Sequence, residues 1–136
     1  DVDWRAFERL IDFHIENGTA ALGLVGTTGE ASTLSHTEHK EVIRFGVSHA
    51  GGRIPIMAGT GSNSTLEAVE LTVAAAEAGA DCALLVTPYY NRPTQEGLFQ
   101  HFRAVAQAIN LPSSSYNVPS RQGCDLSAER ILRLGW

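Results

Sequence analysis

The sequence predicts an α/β fold in which a parallel sheet of four strands is flanked by helices. Three observations carry this. Helical and strand-like hydrophobic patterns alternate along all 136 residues. The alternation repeats at roughly 30 residues, the length of one strand–helix–strand crossover. Each strand pattern also runs into a polar loop rich in Gly, Thr, Asn, Pro or Tyr. The order opens on a helix and gives αβαβαβαβα. A closed eight-stranded barrel needs about 250 residues, so this order describes either a small open sheet or part of a barrel.

The elements follow in order. Over residues 4–17, Phe7, Leu10, Ile11 and Ile15 recur at helical spacing, and Gly18 is a stop signal. Residues 20–25 form a short apolar run ended by Gly26, the pattern of a strand buried on both faces. Ser35 or Thr37 caps the next helix, which buries Val42, Ile43 and Val47 and closes at Gly51 and Gly52. Residues 54–58 form the second strand. Asn63 or Ser64 opens a helix through Leu66, Val69, Leu71 and Val73, stopped by Gly79. The third strand covers residues 82–86, and a helix over 94–109 carries Leu98, Phe102, Val105 and Ala106. Residues 112–117 stand in the place of a fourth strand, and Ser127 opens a last helix through Ile131 and Leu134. No linker or composition shift divides the chain, so residues 1–136 read as one domain.

Composition narrows the function classes. Hydrophobic residues make up 43% and charged residues 18%, ordinary for a globular protein. The net charge of −5, with no basic cluster, argues against nucleic acid as a partner. No apolar run approaches a membrane span, and the start lacks the pattern of a signal peptide. A cytoplasmic protein is expected. Cys82 and Cys124 match no metal spacing and read as ordinary thiols. His36 and His39 share a helix face beside Glu38 and Glu41, but no third ligand stands at diagnostic spacing, so no metal is expected.

Parallel sheets place their chemistry at the C-terminal ends of the strands. Gly26-Thr27-Thr28-Gly29-Glu30 follows the first strand. Its N–H groups and hydroxyls suit a carboxylate, or it is a glycine turn into a capped helix. It is no P-loop, since the Lys-Ser/Thr ending is absent. Gly59-Thr60-Gly61 is explained by capping of the next helix by Asn63. Tyr89 and Tyr90 put two phenols just past the third strand, where they suit proton transfer or an interface. Tyr116-Asn117-Val118-Pro119-Ser120-Arg121 places a phenol at a strand mouth and an arginine five residues on. That arrangement suits a proton relay beside a carboxylate clamp, or a rigid proline turn with a surface arginine.

Together the four loops, in this order and spacing, resemble the dihydrodipicolinate synthase (4-hydroxy-tetrahydrodipicolinate synthase) family over the whole chain. The resemblance implies a partial (β/α)8 TIM barrel: about strands two to five with their helices, without the first strand and strands six to eight. It implies a lyase that condenses pyruvate with aspartate 4-semialdehyde in lysine biosynthesis, through an imine on a lysine and with no cofactor. That enzyme is a homo-oligomer, usually a tetramer. Thr27, Tyr116 and Tyr90 resemble the family's proton relay, with Tyr90 reaching into a neighbouring subunit. Thr28 resembles the residue that holds the pyruvate carboxylate, and Arg121 the clamp on the semialdehyde carboxylate. His39, Asn63, Glu67 and Tyr89, with Ser32 and His36 nearby, match a lysine feedback site. Sister pyruvate aldolases such as N-acetylneuraminate lyase share the fold but vary the Thr-Thr pair and the Pro-Ser-Arg segment.

Two departures stand out. The only lysine is Lys40, mid-helix among acids, so the imine-forming lysine is expected beyond Trp136. The chain alone is expected to be inactive, and its exposed barrel edges make self-association a competing reading. Ser113-Ser114-Ser115 stand where the family has apolar residues on a central strand. Buried hydroxyls without partners cost about 1–3 kcal/mol each. Either this strand is exposed or serines replace core residues.

Overall fold

The computed structural model describes residues 1–135. Four parallel strands, β1 (Leu22–Leu24), β2 (Ile56–Gly59), β3 (Cys82–Val86) and β4 (Ser113–Tyr116), lie side by side in sequence order. Helix α1 (Trp4–Glu16) precedes β1, and α2 (His36–Ala50), α3 (Thr65–Ala78) and α4 (Gln95–Ala108) connect successive strands. A four-residue helix, α5 (Pro119–Gln122), and then α6 (Ala128–Leu134) follow β4. Strand order without a reversal means that every crossover winds the same way, so the sheet has no switch point of the doubly wound kind.

The helix boundaries have local causes. Ser35 caps α2 in a reciprocal box: its Oγ accepts from the Glu38 N–H at 3.3 Å, and Glu38 accepts from the Ser35 N–H at 3.1 Å. Ser64, rather than Asn63, caps α3. Thr94 caps α4 through the Gly97 N–H at 3.1 Å. Gly79 ends α3 at φ 90°, where a side chain would be strained.

The strands are shorter than their apolar runs. β2 begins at Ile56, not at residue 54, because Pro55 has no N–H for the ladder; its carbonyl accepts from the Leu22 N–H at 2.9 Å. Pro112 delays β4 in the same way and accepts from the Ala83 N–H at 2.8 Å. β1 stops at Leu24 because Val25 turns to φ 49°.

The expectation of a first strand buried on both faces is corrected. Side chains alternate across a strand, and Leu22, Leu24, Ile56, Ala58, Ala83 and Leu85 all face the helices. Two clusters form there. One joins β1 and β2 to α1 and α2 through Ile11 and Ile43, and the other joins β3 to α3, α4 and α6 through Leu98, Phe102 and Val105. Each large side chain so buried contributes about 1.5–3 kcal/mol. The opposite face carries Gly23, Met57, Leu84, Ser114 and Tyr116, as the register requires. Gly23, Ser114 and Tyr116 are exposed there, and Met57 and Leu84 are half-buried.

This geometry resolves the three serines. Ser114 lies on the open face, which no helix covers, and is exposed there. Ser113 and Ser115 face the helices half-buried, and Ser113 Oγ donates to the Leu111 carbonyl at 3.1 Å. No helix among the described residues is long and apolar enough to cross a membrane.

Candidate functional site

All four strands end on one side of the sheet, and their loops enclose a depression of about 720 Å³. After Val25 the chain makes a 3-10 turn at Thr27–Gly29, closed by the Gly29 N–H on the Gly26 carbonyl at 2.9 Å. This turn presents both threonine side chains, exposed, to the depression. Val25 itself is buried at φ 49°, a strained conformation for a β-branched residue. Such strain persists only where its surroundings enforce it and gathers at functional sites.

Gly59 supplies part of that enforcement. A Cβ on Gly59 would overlap the Val25 carbonyl, and one on Gly61 would overlap the Val86 backbone N. Gly59-Thr60-Gly61 therefore exists for close backbone approach rather than for capping by Asn63. Thr60, fully buried, shares a 2.8 Å hydrogen bond with Thr72 of α3.

From β4 come Tyr116, 42% exposed, and Arg121 on α5; both line the depression. The expected turn at Pro119 is a single helical turn, with the Gly123 N–H on the Pro119 carbonyl at 2.9 Å. Tyr89 lines the depression as well, but Tyr90 does not: it is 91% exposed at φ 72°. Among the described residues no hydrogen bond joins the hydroxyls of Thr27, Tyr90 and Tyr116. Thr27, Thr28, Tyr116 and Arg121 are thus gathered in one depression, and Tyr90 stands apart.

A second group meets where α2 and α3 begin. His36 pairs with Glu67, whose other oxygen accepts from Ser62 Oγ at 2.8 Å. His39 is buried and donates Nε2–H to the Gly59 carbonyl at 2.7 Å. Loss of solvation holds its pKa below the ordinary value, and the bond to Gly59 opposes this more weakly. Asn63 lies outside the depression; its amide donates to the Tyr89 carbonyl at 3.2 Å, which ties the loop after β2 to the loop after β3. Among the described residues no three His, Cys, Asp or Glu side chains gather in a metal-binding arrangement.

Lys40 sits in α2 and does not line the depression. Cys82 and Cys124 are unpaired with each other, and partial burial pushes both thiol pKa values up. Sequence reasoning missed two residues that brace the site. Thr87, fully buried, reaches the Tyr116 carbonyl with both its N–H (2.9 Å) and its hydroxyl (3.2 Å). Gln122, 3% exposed, bonds backbone on both sides of Asn117. A threonine after a strand and a glutamine after an arginine carry no sequence signal for burial.

A singly wound parallel sheet, helices on one face and hydroxyl, phenol and guanidinium groups converging at the strand ends define an α/β domain with a candidate site at the C-terminal ends of its strands. The model of the Dihydrodipicolinate synthetase family matches residues 1–135. The chain belongs to that family. It is 61% identical over 133 residues to the 4-hydroxy-tetrahydrodipicolinate synthase of Nitrosococcus oceani, covering 98% of this chain and 46% of that protein. The dihydrodipicolinate synthase of Aquifex aeolicus superposes with a TM-score of 0.98 at 51% identity, over 99% of this chain and 46% of that one. A chloride-inhibited dihydrodipicolinate synthase of Acinetobacter baumannii, solved with pyruvate, superposes at 0.95 and 60% identity over 98% of this chain and 46% of that one. The chain spans about half the length of the curated relatives it matches.

Proposed function

We propose that this chain is a segment of the catalytic (β/α)8 barrel of a 4-hydroxy-tetrahydrodipicolinate synthase, corresponding to strands two to five. The barrel condenses pyruvate with L-aspartate 4-semialdehyde in the cytoplasm, as a homotetramer. The observation that carries this reading is the convergence of Thr27, Thr28, Tyr116 and Arg121 on one depression, in a chain so similar to synthases.

The chemistry divides among these groups. An imine between pyruvate and a lysine outside this chain draws electrons away from the pyruvate methyl group, which then loses a proton. Thr27, Tyr116 and a Tyr90 from a neighbouring subunit carry protons to and from the reacting carbon and nitrogen. The exposure of Tyr90 suits a side chain that serves another subunit's site. Thr28, with the N–H groups of its turn, holds the pyruvate carboxylate, and Arg121 grips the semialdehyde carboxylate in a bidentate fork. His39, Asn63, Glu67 and Tyr89, beside Ser32 and His36, form a site for lysine as feedback inhibitor. Glu67 and the Tyr89 loop supply polar partners for an amino acid there.

The test seats residues 1–135 in place of the matching segment of the Nitrosococcus oceani relative. This chimaera is expected to form a borohydride-reducible adduct with pyruvate on a lysine other than Lys40 and to consume aspartate semialdehyde. A labelled Lys40, or cleavage of N-acetylneuraminate without use of the semialdehyde, overturns the reading.

A further inference from the structure

We infer that Gln122 is a positioning residue that sets Tyr116 and Arg121 in register with each other. The inference rests on the proposed function for what those two residues do; its geometry stands independently.

α5 is a single turn of four residues, too short to hold its own orientation, because helix nucleation costs more than one turn returns. Something else must fix it against β4. The Gln122 side chain does so by spanning the junction. Its Oε1 accepts from the Val118 N–H at 2.8 Å, and its Nε2 donates to the Tyr116 carbonyl at 3.2 Å. These two bonds close a ring over Asn117, between the last residue of β4 and the start of α5. Being 3% exposed, the amide does not exchange these partners for water.

The backbone of Gln122 extends the same latch to the loop after the third strand. Its carbonyl accepts from the Tyr90 N–H at 3.2 Å. The Tyr116 carbonyl meanwhile takes the two bonds from Thr87 described above, so that one oxygen receives three donors from two loops. One residue thereby joins the backbones of Tyr116 and Tyr90, and it directly follows Arg121. The latch fixes the backbone positions from which the phenol and the guanidinium project into the depression, and neither side chain is clamped by a hydrogen bond among the described residues.

The latch separates two kinetic effects. Loosening α5 moves Arg121 and raises KM for the semialdehyde. Loosening the Tyr116 backbone misaligns its phenol and lowers kcat. Formation of the pyruvate imine does not use Arg121, which grips the other substrate, and uses Tyr116 only for proton transfer, which sets its rate rather than its extent.

The chimaera above is the test protein, with Gln122→Met, close in shape but without the hydrogen bonds, and Gln122→Glu, which keeps the acceptor for Val118 and sets an oxygen against the Tyr116 carbonyl. For Gln122→Met, kcat/KM for the semialdehyde is expected to fall about tenfold or more, with both KM and kcat affected and borohydride trapping of pyruvate retained. Amide exchange at Val118 and Tyr90 is expected to quicken in the same variant. Gln122→Glu is expected to keep Val118 protected while still losing kcat, and it carries the test if Gln122→Met does not fold. A variant with a lowered Tm but unchanged kcat and KM overturns the inference, as does unchanged exchange at Val118 in Gln122→Met or unchanged kcat in Gln122→Glu. A parent chimaera that traps no pyruvate overturns the proposed function alone; the exchange of Val118 and Tyr90 still decides the latch.

Discussion

His39 of α2, largely buried, donates its Nε2–H to the carbonyl of Gly59 at the end of β2 at 2.7 Å. The bond fixes the tautomer: Nε2 carries the proton. It also anchors the residue whose Cα lies against the Val25 backbone, next to the turn that presents Thr27 and Thr28. A buried histidine and a side-chain-free glycine thus share the task of holding the first loop of the site.

Stability should fall as pH drops below about 6.5, the ordinary histidine value. Burial lowers the pKa of His39, and of His101, whose Nδ1 shares a 2.9 Å hydrogen bond with Thr65 and whose Nε2 is buried without a partner. Below the unfolded pKa the unfolded chain binds protons that the folded chain refuses, so the folded state loses ground until its own pKa values are reached. At neutral pH and above the loss is absent. Urea unfolding between pH 7.5 and 5 checks this. His101→Gln, which retains a partner for Thr65, should flatten the pH dependence; an unchanged slope refutes the role of His101.

Gly59→Ala and Gly61→Ala should each destabilise the chain by about 1–3 kcal/mol or more, the cost of overpacking against atoms that cannot move aside. At both positions the obstacle is backbone, of Val25 and Val86 respectively. Gly46→Ala is the control, because its obstacle is the flexible end of the Leu24 side chain. A smaller loss at Gly59 than at Gly46, read from urea midpoints, would show that the close approach is not what requires glycine there.

These contrasts mark what was legible in the sequence. The helix starts near Ser35, which the sequence left open with Thr37, and near Thr94, and the stop at Gly79, were readable because capping is written within one turn of chain. The first three loops were readable as a site because each follows an apolar run, and the fourth because it recurs at the same spacing. Strand ends were misplaced by one or two residues where Pro55 and Pro112 pass a carbonyl, but no N–H, to a neighbouring strand. Val25 could not be foreseen: valine disfavours positive φ, and only contact with a distant glycine shows the constraint. Nor could Gln122, because its partners are backbone groups that converge only when α5 folds against β4.

In the chimaera, Arg121→Met should raise KM for aspartate semialdehyde by about tenfold or more, since a charge-assisted hydrogen bond contributes about 1.5–3 kcal/mol. Arg121 lines the depression and has no carboxylate partner among the described residues, so its removal leaves none of them as an unpaired buried charge. Pyruvate trapping should be unaffected. Loss of trapping together with an unchanged semialdehyde KM would place Arg121 on the wrong substrate.

The 136-residue chain on its own should associate with itself. β1 and β4 are edge strands with unpaired N–H and C=O groups, and the open face exposes apolar Met57, Leu84 and Val86 in part. Ser114→Lys sets a charge on that face of the edge strand and should reduce association. Sedimentation velocity reads both effects; a parent chain that remains monomeric throughout the micromolar range refutes the first.

Ser115→Val should stabilise the chimaera by about 1 kcal/mol, a rise of a few degrees in Tm. Ser115 stands beside Leu85 on the helix-covered face, half-buried, where a β-branched apolar side chain packs better than a hydroxyl. Ser113 shares that face, but its Oγ satisfies the Leu111 carbonyl at 3.1 Å. Ser113→Val therefore trades a hydrogen bond for apolar area and should gain less, because the abandoned carbonyl offsets the burial. Equal gains at both positions would mean that the Ser113 bond contributes nothing. No gain at Ser115 would mean that β4 does not press its helix-facing side into the core, and the sheet would then end, in energetic terms, at β3.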